Sequence, residues 1–254
     1  MATKKTTIVF SINVHENLDF LTKQLDDIKR NVLVDYIVII NANEHMYNEI
    51  TNSGMIADAG ADADADTDNA NIVLYPWYVE KIHNHGTLTK GIYLNLAYAV
   101  NNYIFEYFVV LSSRNLFYNK LHQGNYKDMP RICESTSIDN LNIYEWHWRL
   151  FIQTKLAKHI IENNLLFSKS YEFHEGLTFD YQLSQNIVGF LQGNEDIKND
   201  LFNFNWGVEE FALHSIALNL NGYYYHIGNW TLADDYINID TLPKDRFVYK
   251  TFRR

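Results

Sequence analysis

Apolar positions recur along this chain in two periods. Short unbroken apolar runs at residues 7–13, 36–40, 71–75 and 107–111 read as buried strands, the third closed by Pro76. Between them, Leu18, Leu21, Leu25 and Ile28 stand at helical spacing within residues 18–32, and residues 86–103 form a longer helix candidate. Apolar strands alternating with helices predict an α/β fold with a mostly parallel sheet and helices on both faces. Such sheets bind ligands beyond the carboxyl ends of their strands. Those ends carry Asn13-Val14-His15-Glu16, Asn41-Ala42-Asn43 and Ser112-Ser113-Arg114-Asn115, and the two Asn-rich ones suit hydrogen bonds to a base and ribose.

The second half is less regular. Helical spacing returns at residues 148–163 and 180–192, and strand-like runs at 223–227 and 247–251. No Gly/Ser/Pro linker separates the halves, so residues 1–254 are expected to form a single domain. Trp206-Gly-Val-Glu209-Glu210 precedes a helix with apolar Phe211, Ala212, Ile216 and Leu220, stopped by Asn221-Gly222. This spacing predicts both carboxylates in the first turn of an amphipathic helix. There a carboxylate stays ionised and can act as a general base, although first-turn acids also serve stability alone.

Composition acts mainly by exclusion. Apolar content of 47% and aromatic content of 15% over 254 residues support a sizeable core. A net charge of −10, with no basic block before Arg253-Arg254, argues against nucleic acids and anionic membranes as partners. Cys133 is the one cysteine, which excludes an intrachain disulfide. No apolar stretch reaches transmembrane length, and the first residues lack the apolar core of a secretory signal, so a cytoplasmic protein without membrane insertion is expected.

Candidate chemistry is scattered. The run at residues 58–68 contains Asp-X-Asp triplets, which suit hard cations, but its small and polar flanks offer nothing to pack it down. His15, His83 and His85 resemble metal ligands only in part, since zinc sites need three or four ligands at a recognisable spacing. Walker loops, nucleophile elbows and dinucleotide fingerprints are absent from the sequence. Trp146 and Trp148, within Glu145-Trp-His-Trp-Arg149, are either an acceptor platform for sugar rings, together with Trp206, or part of an aromatic core strip. Lys244, Arg246, Lys250, Arg253 and Arg254 gather near the C-terminus, where a diphosphate could be neutralised without a metal.

Taken in order, these segments resemble the core-2/I-branching glycosyltransferases and the related peptide O-xylosyltransferases. Val14-His15-Glu16-Asn17 is similar to that family's turn after its opening strand. His85-Gly86-Thr-Leu-Thr-Lys-Gly resembles its Trp-Gly helix start. Phe108-Val-Val-Leu-Ser-Ser-Arg114 resembles its Leu-Ser-Gly strand end, Val208-Glu209-Glu210-Phe211 its Pro-Asp-Glu motif, and Arg246-Phe-Val-Tyr-Lys250-Thr-Phe252 its closing Phe-Ala-x-Lys-Phe. The similarity covers residues 7–120 and 200–254. It departs at His85, which stands for a Trp, at Ser113-Arg114-Asn115, where Gly-X-Asp is lost, and at a second diphosphate-binding Arg without counterpart. The family's disulfides are also missing. Compact chains of this kind are associated with large DNA viruses, which implies a host-cytoplasm location.

The resemblance implies a glycosyltransferase-A, Rossmann-like fold. Residues 1–120 would be the nucleotide-sugar half and 121–254 the acceptor-binding and catalytic half. It implies inverting transfer from a nucleotide-sugar, a UDP-sugar in the first instance, to a glycan hydroxyl. Glu210 would be the base and Glu209 its neighbour. The donor would meet Val14, His15, Asn41, Asn43, His85, Gly86, Ser112, Ser113, Arg114, Lys250 and Arg253. No cofactor is expected on this reading, since Lys250 and an Arg replace the metal. The alternatives are a Mn- or Mg-dependent transferase using the Asp run, a His-metal hydrolase or deacetylase, and a non-catalytic glycan-binding module.

Overall fold

The computed structural model describes residues 4–15, 17–56, 71–82, 85–124, 127, 129–141, 146–168, 175–232 and 247–251. In chain order, the first half comprises β1 (Lys4–Lys5), β2 (Ile8–Val14), α1 (Leu18–Asn31), β3 (Tyr36–Ala42), α2 (Glu44–Asn52), β4 (Ile72–Leu74), α3 (Thr87–Asn102), β5 (Tyr103–Ile104), β6 (Tyr107–Ser112) and β7 (Asn115–Phe117). The second comprises β8 (Arg131–Ile132), β9 (Ser135–Thr136), α4 (Trp146–Phe151), α5 (Lys155–Glu162), β10 (Phe167–Ser168), β11 (Leu177–Asp180), α6 (Tyr181–Gly193), α7 (Glu195–Asn203), α8 (Ala212–Asn221), β12 (Tyr224–His226), β13 (Asn229–Leu232) and β14 (Val248–Thr251).

A seven-stranded sheet in the order β4-β3-β2-β6-β11-β12-β8 forms the centre. Its first four strands pair in parallel, and β11, β12 and β8 continue it antiparallel. Side chains alternate across the strands and so divide the interior in two. Ile8, Phe10 and Ile12 pack with Leu21, Leu25 and Ile28 of α1, while Val9, Ile37 and Ile39 pack with Ile92 and Leu96 of α3. Helices therefore flank both faces, as the sequence predicts, in an arrangement compatible with a Rossmann-like fold. Among the described residues, no helix is long and apolar enough to cross a membrane.

Helix starts follow side-chain capping. Asn17, Asn43, Thr154 and Asp180 each accept a backbone N–H of the first turn, and Gly222 closes α8 in the left-handed region at φ 76°. Thr154 explains why the predicted helix over residues 148–163 is two helices: its hydroxyl caps Ala157 at 3.1 Å and starts α5 afresh. Two elements go beyond the sequence expectation. The four-residue β11 is too short to show a period, and α7 follows directly on α6 with only Asn194 between them.

Candidate functional site

The strand register draws the polar strand ends into one row. Asn13 of β2 stands opposite Asn41 of β3 and opposite Ser112 of β6. Gly176 N–H donates to the Val110 carbonyl at 2.7 Å, so buried Glu175 continues the row on the antiparallel side. By alternation, Asn13 and Asn41 share the face of Val9 and Ile39 and project towards α3. Asn13 Nδ2 donates to the Leu88 carbonyl at 3.0 Å, in the first turn of α3.

Lys81, on the loop after β4, supplies the central cation of this edge. It is 9% exposed, and its ammonium donates to Asn41 Oδ1. A Cβ on Gly91 of α3 would stand 2.4 Å from Lys81 Nζ and 2.3 Å from Asn13 Oδ1. The missing side chain on Gly91 is thus what lets the ammonium and both amides meet beneath the helix. Among the described residues, Asn13 Oδ1, Asn41 Nδ2 and Thr89 Oγ1 are buried and meet no hydrogen-bond partner, so the cluster offers donors and acceptors. Among the described residues, Lys81 makes no ion pair. Burial, with Lys90 nearby, pushes its ammonium down to about 7.

The unfolded chain holds the Lys81 proton up to the ordinary lysine range, whereas the folded chain releases it near 7. The unfolded state therefore binds more protons in that window, and stability rises with pH. An increase of about 2 kcal/mol between pH 7 and 9 is expected for one such group. Urea denaturation at a series of pH values measures it, and Lys81→Met should flatten the slope. An unchanged slope would show that Lys81 keeps its charge in the fold.

The neighbouring loop residues have structural partners of their own. Asn43 caps α2, accepting Met46 N–H at 3.0 Å and donating to the His15 carbonyl at 3.4 Å. Val14 packs fully buried on the α1 side. The His85 ring accepts Thr87 N–H at 3.2 Å and is half-buried. Gly86 N–H donates to the Phe204 carbonyl at 3.0 Å, and a Cβ at Gly86 would lie 1.8 Å from the Leu201 carbonyl oxygen. This contact ties the start of α3 to the segment that leads into Glu209 and Glu210.

The two carboxylates lie in the turn ahead of α8, not in its first turn as predicted. Both Phe211 and Ala212 donate to the Val208 carbonyl, at 3.1 and 2.9 Å, and regular helix begins only at Ala212. Nor is α8 amphipathic: every residue from Ala212 to Leu218 is buried, while Leu220 is exposed. Because Gly222 and Tyr223 alone separate α8 from β12, the helix runs back against that strand. Its N-terminus therefore lies at the end of the sheet where β2, β3 and β6 finish. Glu209 is 6% exposed, with its carboxylate folded against Gly207, where a Cβ would meet Oε1 at 3.0 Å. Glu210 and Trp206 are half-buried. The pair is thus divided into an inner and an outer carboxylate.

Beyond β6, Asn115 Oδ1 accepts the Ser112 N–H at 2.7 Å and its hydroxyl at 3.1 Å. Gln24 donates to the Ser112 carbonyl at 2.7 Å. Ser113 is buried and Arg114 half-buried. β14 pairs antiparallel with β7, and its Lys250 stands opposite Asn115. The backbone of Lys250 is thereby placed next to the Ser112 end of the row; its side chain, that of Trp146, and Glu16, His83, Arg246, Arg253 and the Asp run at 58–68 lie outside the described residues.

Trp148 is corrected from acceptor surface to core. It is 3% exposed and packs against Phe151, Phe167 and Phe211 with ring centroids 6.1, 6.0 and 4.6 Å away. Its indole fills the space between these three rings, and no face of it remains for a ligand.

Lys81 is the residue that sequence reasoning missed. Its only signal is remote: Gly91, alone within a helical pattern, marks a close approach without saying by what. Compared with known protein families and with curated proteins, the sequence matches none of them.

Proposed function

We propose that the chain is an inverting glycosyltransferase of glycosyltransferase-A architecture that moves a sugar from a nucleotide-sugar to a glycan hydroxyl. One observation carries this reading: the carboxylate turn at Glu209-Glu210 and the Asn13–Asn41–Ser112 row share the carboxyl end of one sheet. That end is where α/β sheets receive nucleotides. The antiparallel strand β11 beside four parallel strands fits the same architecture.

In this reading Glu210 takes the proton from the acceptor hydroxyl as its oxygen attacks the anomeric carbon. The bond from that carbon to the diphosphate breaks, its electron pair leaves with the nucleoside diphosphate, and the configuration inverts. Lys250, whose backbone pairs opposite Asn115 at the end of the row, is in this reading the group that stabilises the departing charge without a metal. Glu209, buried beside Gly207, holds the turn.

A screen of UDP- and GDP-sugars by thermal shift and hydrolysis, with and without EDTA, tests the reading. Ligand at 100 times its Kd stabilises the fold by about 2.7 kcal/mol, so the donor should stand out. A UDP-sugar that raises the melting temperature and is still turned over in EDTA is expected. Activity lost in EDTA and restored by Mn²⁺ would overturn the metal-free form. If no sugar-nucleotide in the screen bound at all, the transferase reading itself would fall.

A further inference from the structure

His226 links the central sheet to the strand that carries Lys250. It ends β12, is 5% exposed and follows a strand paired with β11, where it stands opposite Leu177. Its ring rests on Gly176: a Cβ there would lie 2.7 Å from Cε1 and 3.0 Å from Nε2, and Gly176 adopts φ 96°, which favours glycine. Gly176 is itself fixed to β6, since its N–H donates to the Val110 carbonyl at 2.7 Å, close to the Ser112 end. On its other side, His226 Nδ1 accepts the Gly228 N–H at 3.0 Å. That bond makes Nδ1 the unprotonated nitrogen of the ring. The Gly228 carbonyl in turn accepts the N–H groups of Phe247 and Val248, each at 3.2 Å. β14 begins at Val248 and carries Lys250.

We propose that His226 is a positioning residue: through Gly228 it fixes where β14 starts, and so where Lys250 stands beside the Ser112 end. β14 belongs to a three-stranded sheet with β13 and β7, separate from the central one. Within that sheet Lys250 stands opposite Thr231 and Asn115. These pairings hold β14 to its neighbours, and the His226 bond ties the turn at its first residue to the central sheet. A slip of β14 by one residue would turn Lys250 to the opposite face, so an anchor there acts on more than one hydrogen bond. The position also suits histidine. The side chain must fill the space over the bare α-carbon of Gly176 and offer an acceptor to the N–H of Gly228. An aliphatic side chain does only the first, and asparagine only the second. That Lys250 meets a diphosphate rests on the transferase reading; the placement of β14 does not.

The test uses the full chain. In His226→Leu, amide hydrogen exchange at Phe247 and Val248 is expected to be about tenfold faster than in the wild type, the factor that one ordinary hydrogen bond supplies. Exchange at Ile39 in β3 should not change. His226→Asn should restore slow exchange, because an asparagine amide oxygen can accept the backbone N–H two residues on, which here is that of Gly228. His226→Ala, which cannot crowd Gly176, replaces the leucine variant if that one does not fold. Calorimetric titration adds a second readout. His226→Leu should bind UDP about tenfold more weakly and uridine as the wild type does, a split that a general loss of structure would not give. The proposal is overturned if Phe247 and Val248 exchange in His226→Leu as they do in the wild type. It is also overturned if His226→Asn exchanges as fast as His226→Leu, or if UDP and uridine weaken together. If the wild type binds no UDP, the transferase reading falls, and the exchange comparison still decides the placement of β14 by itself.

Discussion

On the proposed transferase reading, replacing Glu210 by Gln is expected to lower sugar transfer by about 10²–10⁴-fold, the range that a positioned general base contributes. The amide keeps the shape of the side chain and cannot take the acceptor proton. Melting curves of the variant separate lost chemistry from lost fold, since Glu210 is half-buried in its turn. The loss should fall on kcat, with donor affinity unchanged. Glu209→Gln should behave differently: its carboxylate is buried against Gly207, so stability falls along with activity. Wild-type transfer by Glu210→Gln would remove that residue from the chemistry.

Gly86→Ala destabilises the protein by more than about 3 kcal/mol, at or beyond the upper end of ordinary overpacking. The added methyl would stand 1.8 Å from the Leu201 carbonyl oxygen and 2.9 Å from the Phe202 carbonyl carbon. Both neighbours are backbone near the end of α7, so no side-chain rotation relieves the clash. The start of α3 or the segment leading to Glu210 must shift, and activity should fall with stability. Gly189→Ala is the counterpart. Gly189 lies exposed inside α6 with open space around its Cβ position, and there the same substitution should stabilise by roughly 0.5–1 kcal/mol. Urea midpoints of the two variants should move in opposite directions.

The first half of the fold was legible because its strands are buried on both faces and its helices on one. Unbroken runs such as Ile37-Val-Ile-Ile40 and the spacing of Leu21, Leu25 and Ile28 leave few alternatives. The strand-end polar residues were legible for the same reason, since a parallel sheet fixes which ends face the ligand. What each polar side chain does there was not. Asn43 and Asn41 look alike in sequence, yet one caps α2 and the other holds Lys81 beneath α3. Trp148 likewise stands among charged neighbours in the sequence, yet it lies in the core. Local spacing carries secondary structure; the partner of a side chain depends on residues far along the chain. Lys81 shows this most plainly, as its neighbours Asn13, Asn41 and Gly91 come from three separate elements.

The pairing of β14 with β7 has a consequence for the order in which the molecule is made. Lys250 sits opposite Asn115, yet more than half of the chain separates them in sequence. During synthesis the strands β2, β3, β4 and β6, with their helices, can pack as soon as they leave the ribosome. The Ser112 end then waits for a strand that is translated after everything else in the sheet. Contacts so distant in sequence form slowly. The nascent protein therefore holds most of its central sheet before the strand beside Asn115 is paired.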